Sequence, residues 1–207
     1  MRIALVGGTG SFGTALGRRL VEAGYDVVIG SRDAERARAA AAELGVEGAT
    51  NADAARAADL VVLATKAEAT LATAAELREA IGTTPVLSVA AELVFGADGV
   101  APTPEPTSIA ARLQTLLDAP VVAGLHSLAA RNLGADEAPD EDVLVCGDDA
   151  DAKAIVLELA ERLTAGRALD CGPLAGARTL EGLTAVIVNL NKRYKAHAGV
   201  RVTGVGR

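Results

Sequence analysis

Tryptophan is absent from this 207-residue chain, and phenylalanine and tyrosine together reach only 2% of it. With 50% of residues apolar, the core must be packed from Ala, Val, Leu and Ile, which suits a well-folded α/β protein and not a disordered one. Cysteine is scarce too. Cys146 and Cys171 are the only two, lack metal-ligand spacing, and read as small apolar residues rather than a disulfide framework. A reducing cytoplasm fits them, and no metal is expected. No apolar run approaches the roughly 20 residues that span a bilayer, and no signal peptide is visible before the first glycines. Two histidines and no Ser-His-Asp pattern argue against hydrolysis. Positive charge is also in deficit. A net charge of −7 makes general nucleic-acid or anionic-membrane binding a poor expectation. The expected partners are small molecules, and an anionic one must be met by local cations and backbone N–H groups.

What is present is a rhythm. "RIALVG" reads as a buried strand and "SFGTALGRRLVEAG" as a helix with Phe12, Leu16 and Leu20 on one side. The strands "YDVVIG", "LVVLAT" and "PVLSVA" follow, separated by helices at "DAERARAAAAELG" and "EATLATAAELREAIG". This alternation predicts a Rossmann-type, doubly wound parallel sheet with helices on both faces and right-handed crossovers. Residues 91–108, with three prolines, read as a long loop, and "HSLAARNLGADEAPDED" as a second one. Strands "PVVAGL", "DVLVCG" and "RALDCG" and two more helices complete the pattern. The last helix, from about residue 174, carries Leu183, Ile187, Leu190 and Tyr194. A boundary near 145–155 divides the chain into a nucleotide-binding part, 1–150, and a small C-terminal α/β part, 151–207.

Between the first strand and helix stands "GGTGSFG". Gly8, Gly10 and Gly13 form G-x-G-x-x-G. Gly8 serves the tight turn, Gly10 lets the backbone approach a pyrophosphate, and Gly13 lets helix and strand pack closely. Thr9, Ser11 and Phe12 add N–H donors at a helix N-terminus, whose dipole favours phosphate. The second strand ends in Gly30-Ser31-Arg32, where an NAD site usually has an acid. A hydroxyl and a guanidinium suit a 2′-phosphate, and Arg36 follows one turn later. Asp33 is dissonant but suits a helix cap. The plain alternative is that both arginines are solvated surface residues. NADP is the expected dinucleotide.

"MRIALVGGTGSFGTAL", "VVIGSR", "VVAGLHSLAARNL", "DVLVCGDDADAK", "LDCGPLAGARTLEGLT" and "VNLNKRYKAHAGVRVTGV" together resemble the NADPH-dependent reductases of coenzyme F420, an 8-hydroxy-5-deazaflavin. The resemblance runs through nearly the whole chain. It implies an NADP-dependent oxidoreductase that passes a hydride reversibly between NADP(H) and coenzyme F420. By that resemblance Thr9 to Phe12, Ser31, Arg32 and Arg36 hold NADP, while Thr65, Lys66, Ala67, Ala91 and Ala130 line its nicotinamide end. Lys66 stands where the family often has proline. His126, Arg178 and Thr184 match positions around the deazaflavin, and Gly182 stands where some members have serine. His126 and Arg178 are candidates to stabilise negative charge on the deazaflavin; for His126 the alternative is a loop histidine satisfied by backbone groups. A homodimer is expected.

From residue 192 onward Lys192, Arg193, Lys195, Arg201 and Arg207, with His197, occur without any acid. Coenzyme F420 is polyanionic, so this basic segment is expected to attract it, with Lys192 and Arg193 foremost; the alternative is a solvated tail. Two other functions fit the same residues. One is NADP-dependent reduction of another small acceptor, such as a flavin, an imine or a metal chelate. The other is a non-catalytic NADP(H)-binding redox sensor.

Overall fold

The computed structural model describes residues 1–205; Gly206 and Arg207 of the basic segment lie outside the described residues. In chain order the elements are β1 (Arg2–Val6), α1 (Ser11–Glu22), β2 (Asp26–Ser31), α2 (Ala34–Ala42), β3 (Glu47–Thr50), α3 (Asn51–Arg56), β4 (Leu60–Leu63), α4 (Ala67–Ile81) and β5 (Val86–Ser88). The hairpin β6 (Leu93–Gly96) and β7 (Gly99–Pro102) follows, then α5 (Ile109–Leu116), β8 (Val121–Gly124), α6 (Ala130–Leu133), β9 (Val143–Gly147), α7 (Ala150–Leu163), β10 (Ala168–Asp170), a short 3-10 turn at Leu174–Gly176, and α8 (Ala177–Tyr194).

An eight-stranded sheet runs β10-β9-β8-β5-β4-β1-β2-β3. Its strand residues alternate faces, as a period of two demands. Ala4 and Val6 join one apolar cluster with residues of α3, α4, α5 and α8. Ile3 and Leu5 join the other with Leu16 and Leu20 of α1 and Val156, Leu159 and Leu163 of α7. The doubly wound α/β architecture is therefore present, and the sheet is parallel except between β8 and β9. Residues 125–142, between them, hold only the four-residue α6 and no helix of the length that usually covers a sheet face in a parallel crossover; the chain returns beside β8 as β9.

Other elements also differ from expectation. Residues 91–108 contain the hairpin, with Leu93 paired to Pro102 and Gly96 to Gly99; Ala97-Asp98 forms a two-residue turn between the paired glycines, which the prolines that follow obscure. β3 is an added edge strand, Glu-Gly-Ala-Thr, with little strand propensity of its own. On α8, Ile187 points inward, whereas Leu190 and Tyr194 are exposed.

The C-terminal segment is fastened to the sheet edge. Asp142, whose side chain is buried, accepts from Arg167 Nη2 at 2.6 Å and from the Val202 N–H at 2.8 Å. The Arg167 guanidinium holds that carboxyl well below the usual carboxylate range. Among the described residues no helix is long and apolar enough to cross a membrane.

Candidate active site

The glycine loop opens at the carboxyl end of β1, where β1 lies between β4 and β2. A Cβ on Gly8 would lie 2.7 Å from the Leu5 carbonyl oxygen, and one on Gly13 would lie 2.6 Å from Gly8 Cα. Both glycines are imposed by the protein's own packing. A Cβ on Gly10 would meet nothing within 4 Å. Gly10 is exposed and is the N-cap of α1, with no side-chain cap and no acid in the first turn. The first N–H groups of α1 are thus left to an outside acceptor, and a pyrophosphate fits the loop as it stands. Thr9 and Phe12 are half-buried beside it and Ser11 is exposed.

At the end of β2, Ser31 is buried and Arg32 and Arg36 are exposed. Neither arginine has a carboxylate partner among the described residues. Asp33 is occupied as the cap of α2, accepting from the N–H groups of Glu35 and Arg36, and so pairs with neither guanidinium group.

Beside the loop lies a cleft of about 240 Å3 that brings together Phe12, Thr65, Ala67, Ala91, His126 and Thr184, with Leu93, Leu125 and Leu128 among its apolar walls. His126 Nε2 lies 3.2 Å from the Ala90 carbonyl oxygen, which can only accept, so Nε2 carries the proton and Nδ1 is a bare lone pair. Nδ1 is buried without a partner. Burial pushes the imidazole down to about 4, against the opposing bond to Ala90, so it is neutral at pH 7. Thr184 Oγ1 donates to the His126 carbonyl at 3.0 Å. Thr70 Oγ1 donates to the Lys66 carbonyl, so the Thr65–Thr70 bond of 3.0 Å uses the Thr65 proton. With their protons so engaged, the Thr65 and Thr184 hydroxyls keep lone pairs free. His126 is neutral, its one N–H is taken by the Ala90 carbonyl, and its Nδ1 is buried. Leu125, just before it, has φ +64°, an uncommon conformation for a branched residue.

The remaining expected residues are not among those lining the cleft. Arg178 donates from Nη1 to the buried Glu181 at 3.1 Å and from Nη2 to the Thr103 carbonyl at the end of the hairpin. Burial raises the Glu181 carboxyl, opposed by the Ile109 N–H and Arg178. Lys66 is exposed at the N-cap of α4. Ala130 begins α6, which buried Arg19 ties to α1 by donating to the Leu133 and Glu137 carbonyls, each at 3.1 Å. Lys192 Nζ lies 5.2 Å from the centre of the Phe95 ring, and Arg193 is exposed. Arg201 is paired with Asp140, so the acid-free segment is partly neutralised from outside. A larger groove, about 710 Å3, lies at β10 between Leu169 and Val202; it shares no lining residue with the cleft and has none of the expected residues.

Sequence reasoning passed over Asn51. Its Oδ1 accepts from the Gly7 N–H at 3.2 Å, bracing the loop from the end of β3. An asparagine opening a helix gives no such signal alone; only its place beside β2 does.

The same arrangement recurs in known proteins. Residues 2–92 match the family model described as NADP oxidoreductase, coenzyme F420-dependent. An F420-dependent NADP reductase of Methanothermobacter thermautotrophicus is 37% identical over 99% of this chain and 96% of its own. The chain belongs to the coenzyme F420-dependent NADP oxidoreductase family. A Methanocaldococcus jannaschii relative of the same description is 35% identical, covering 99% of both chains. Among solved structures, a candidate F420-dependent NADP reductase from Arthrobacter sp. FB24 superposes with a TM-score of 0.83 at 29% identity, over 94% of this chain and 95% of that one.

Proposed function

We propose that this family member transfers a hydride reversibly between NADP(H) and coenzyme F420. The observation that carries the reading is the joining, through Phe12, of a glycine loop open at Gly10 to a cleft with apolar walls and the hydroxyls of Thr65 and Thr184. When both coenzymes are bound, the nicotinamide C4 and the deazaflavin C5 supply the hydride chemistry. The protein supplies position and dryness. Phe12, Leu125 and Leu128 exclude water. Lone pairs on Thr65 and Thr184 accept from N–H groups of the carboxamide and the deazaflavin's pyrimidine ring, beside the neutral His126 ring. Arg32 and Arg36, with Ser31, hold the 2′-phosphate. Arg178 keeps the hairpin end and α8 together at the deazaflavin side, and residues 151–207 complete that side as a small C-terminal part. Mixing the pure protein with NADPH and coenzyme F420 should bleach the deazaflavin's visible absorbance, and NADP+ should restore it. Unchanged absorbance in both directions, with NADPH demonstrably bound, overturns the reading.

A homodimer and a cytoplasmic location belong to the same proposal. Val186, Leu190 and Tyr194 form an exposed stripe at helical spacing on α8, beside exposed Val94 and Phe95 of β6. A second copy of the chain is the proposed cover. Both cysteines are free, which suits a reducing compartment.

A further inference from the structure

β2 and β3 pair with Ser31 opposite Thr50, so the residue after β3 emerges beside the Gly30-Ser31-Arg32 turn. That residue is Asn51, 7% exposed. Its Oδ1 accepts from the Gly7 N–H, and a Cβ on Gly30 would come within 2.9 Å of the same oxygen. One carboxamide thus touches both the pyrophosphate loop and the strand that ends at the 2′-phosphate position. With Oδ1 engaged by an N–H, the amide's orientation is assigned. Nδ2 keeps two N–H groups with no partner among the described residues. As a brace for Gly7 alone, aspartate would serve equally, since a carboxylate accepts from an N–H at least as well. Aspartate would, however, set a negative charge against a phosphate dianion.

We propose that Asn51 is a specificity residue for NADP, its Nδ2 donating to the 2′-phosphorylated ribose while its Oδ1 braces the loop. This rests on the NADP reading above, so wild type and Asn51→Asp are titrated side by side with NADPH and NADH. Wild type should prefer NADPH. In Asn51→Asp the brace survives, so the Kd for NADPH should rise about tenfold or more, the loss expected of one hydrogen bond to a charged group, while the Kd for NADH stays within about threefold. Equal weakening of both, or of neither, overturns the assignment to the 2′-phosphate. A wild type without preference overturns the cofactor reading and the proposal with it. A second measurement uses the unaltered protein. The Asn51 side-chain amide signal, identified by its loss in Asn51→Asp, should shift on adding 2′,5′-ADP and hold still with 5′-AMP. An equal response to both nucleotides also overturns it.

Discussion

At Gly13 a methyl group would sit 2.6 Å from the Gly8 backbone, whereas at Gly10 it would meet nothing. Gly13→Ala should therefore lower stability by about 1–3 kcal/mol or more through forced overpacking, read by chemical denaturation. Gly10→Val should leave stability nearly unchanged and abolish NADPH binding; a folded Gly10→Val that binds NADPH normally defeats the pyrophosphate assignment. Arg32→Ala removes one or two charged hydrogen bonds worth about 1.5–3 kcal/mol each. NADPH should weaken roughly 10- to 100-fold with NADH little affected, and equal losses would show that Arg32 does not read the phosphate. His126 makes a pH prediction. Its folded value, about 4, lies below the ordinary 6.5, so the unfolded chain binds more protons between those values. Its contribution, up to about 3 kcal/mol, is complete above pH 6.5 and lost as pH falls towards 4. Glu141 and Glu181 are shifted up by burial and act in the opposite sense as pH rises, so the test is the difference between wild type and His126→Asn. Parallel stability curves for the two between pH 4 and 7 would contradict the buried neutral imidazole.

α8 is the element on which the deazaflavin proposal depends most. It carries Arg178 and Thr184 near its start and Lys192 and Arg193 in its last turn, and Asn189 clasps Val100 of the hairpin through both its N–H and C=O, at 2.8 and 2.7 Å. Charge reversal of Lys192 with Arg193 should raise KM for coenzyme F420 and leave kcat and the KM for NADPH nearly unmoved, because these charges lie away from the reacting carbons. The effect should shrink with salt, over a Debye length of about 8–10 Å. A truncated acceptor without phosphate and glutamates should be indifferent; if it loses as much as the full coenzyme, the segment is structural. How legible each element was follows from its physics. β1 and α1 announce themselves because both faces of one and one face of the other are buried. β6 and β7 did not, since most of their residues are exposed, leaving no apolar pattern. The helix period of α8 was legible, but not that Leu190 and Tyr194 belong to an outer surface.

For the whole molecule, the parallel α/β plan could be read from alternation, but direction could not: the residues of β9 look the same whichever way it runs. In the site, the glycine loop was legible because its residues are adjacent. Asn51 and Glu181 were not, because the N–H groups they serve lie 44 and 72 positions away. The assembled surface carries its own prediction. Replacing Phe95 and Tyr194 together by serine should convert a dimer to a monomer in sedimentation equilibrium, and a wild type already monomeric at micromolar concentration would remove the proposed cover.

β1 is hydrogen-bonded to β2 on one side and β4 on the other, and Ile3 to Val6 are wholly buried. Its amide hydrogens should exchange with solvent deuterium only when the entire chain unfolds, whereas the hairpin and the outer half of α8, joined by side-chain clasps, should open in smaller and cheaper events. On the proposed assignment, the dinucleotide loop hangs from the strand expected to exchange slowest, and the deazaflavin side from a region expected to open by itself. That proposal then has one coenzyme gripped continuously while the other comes and goes.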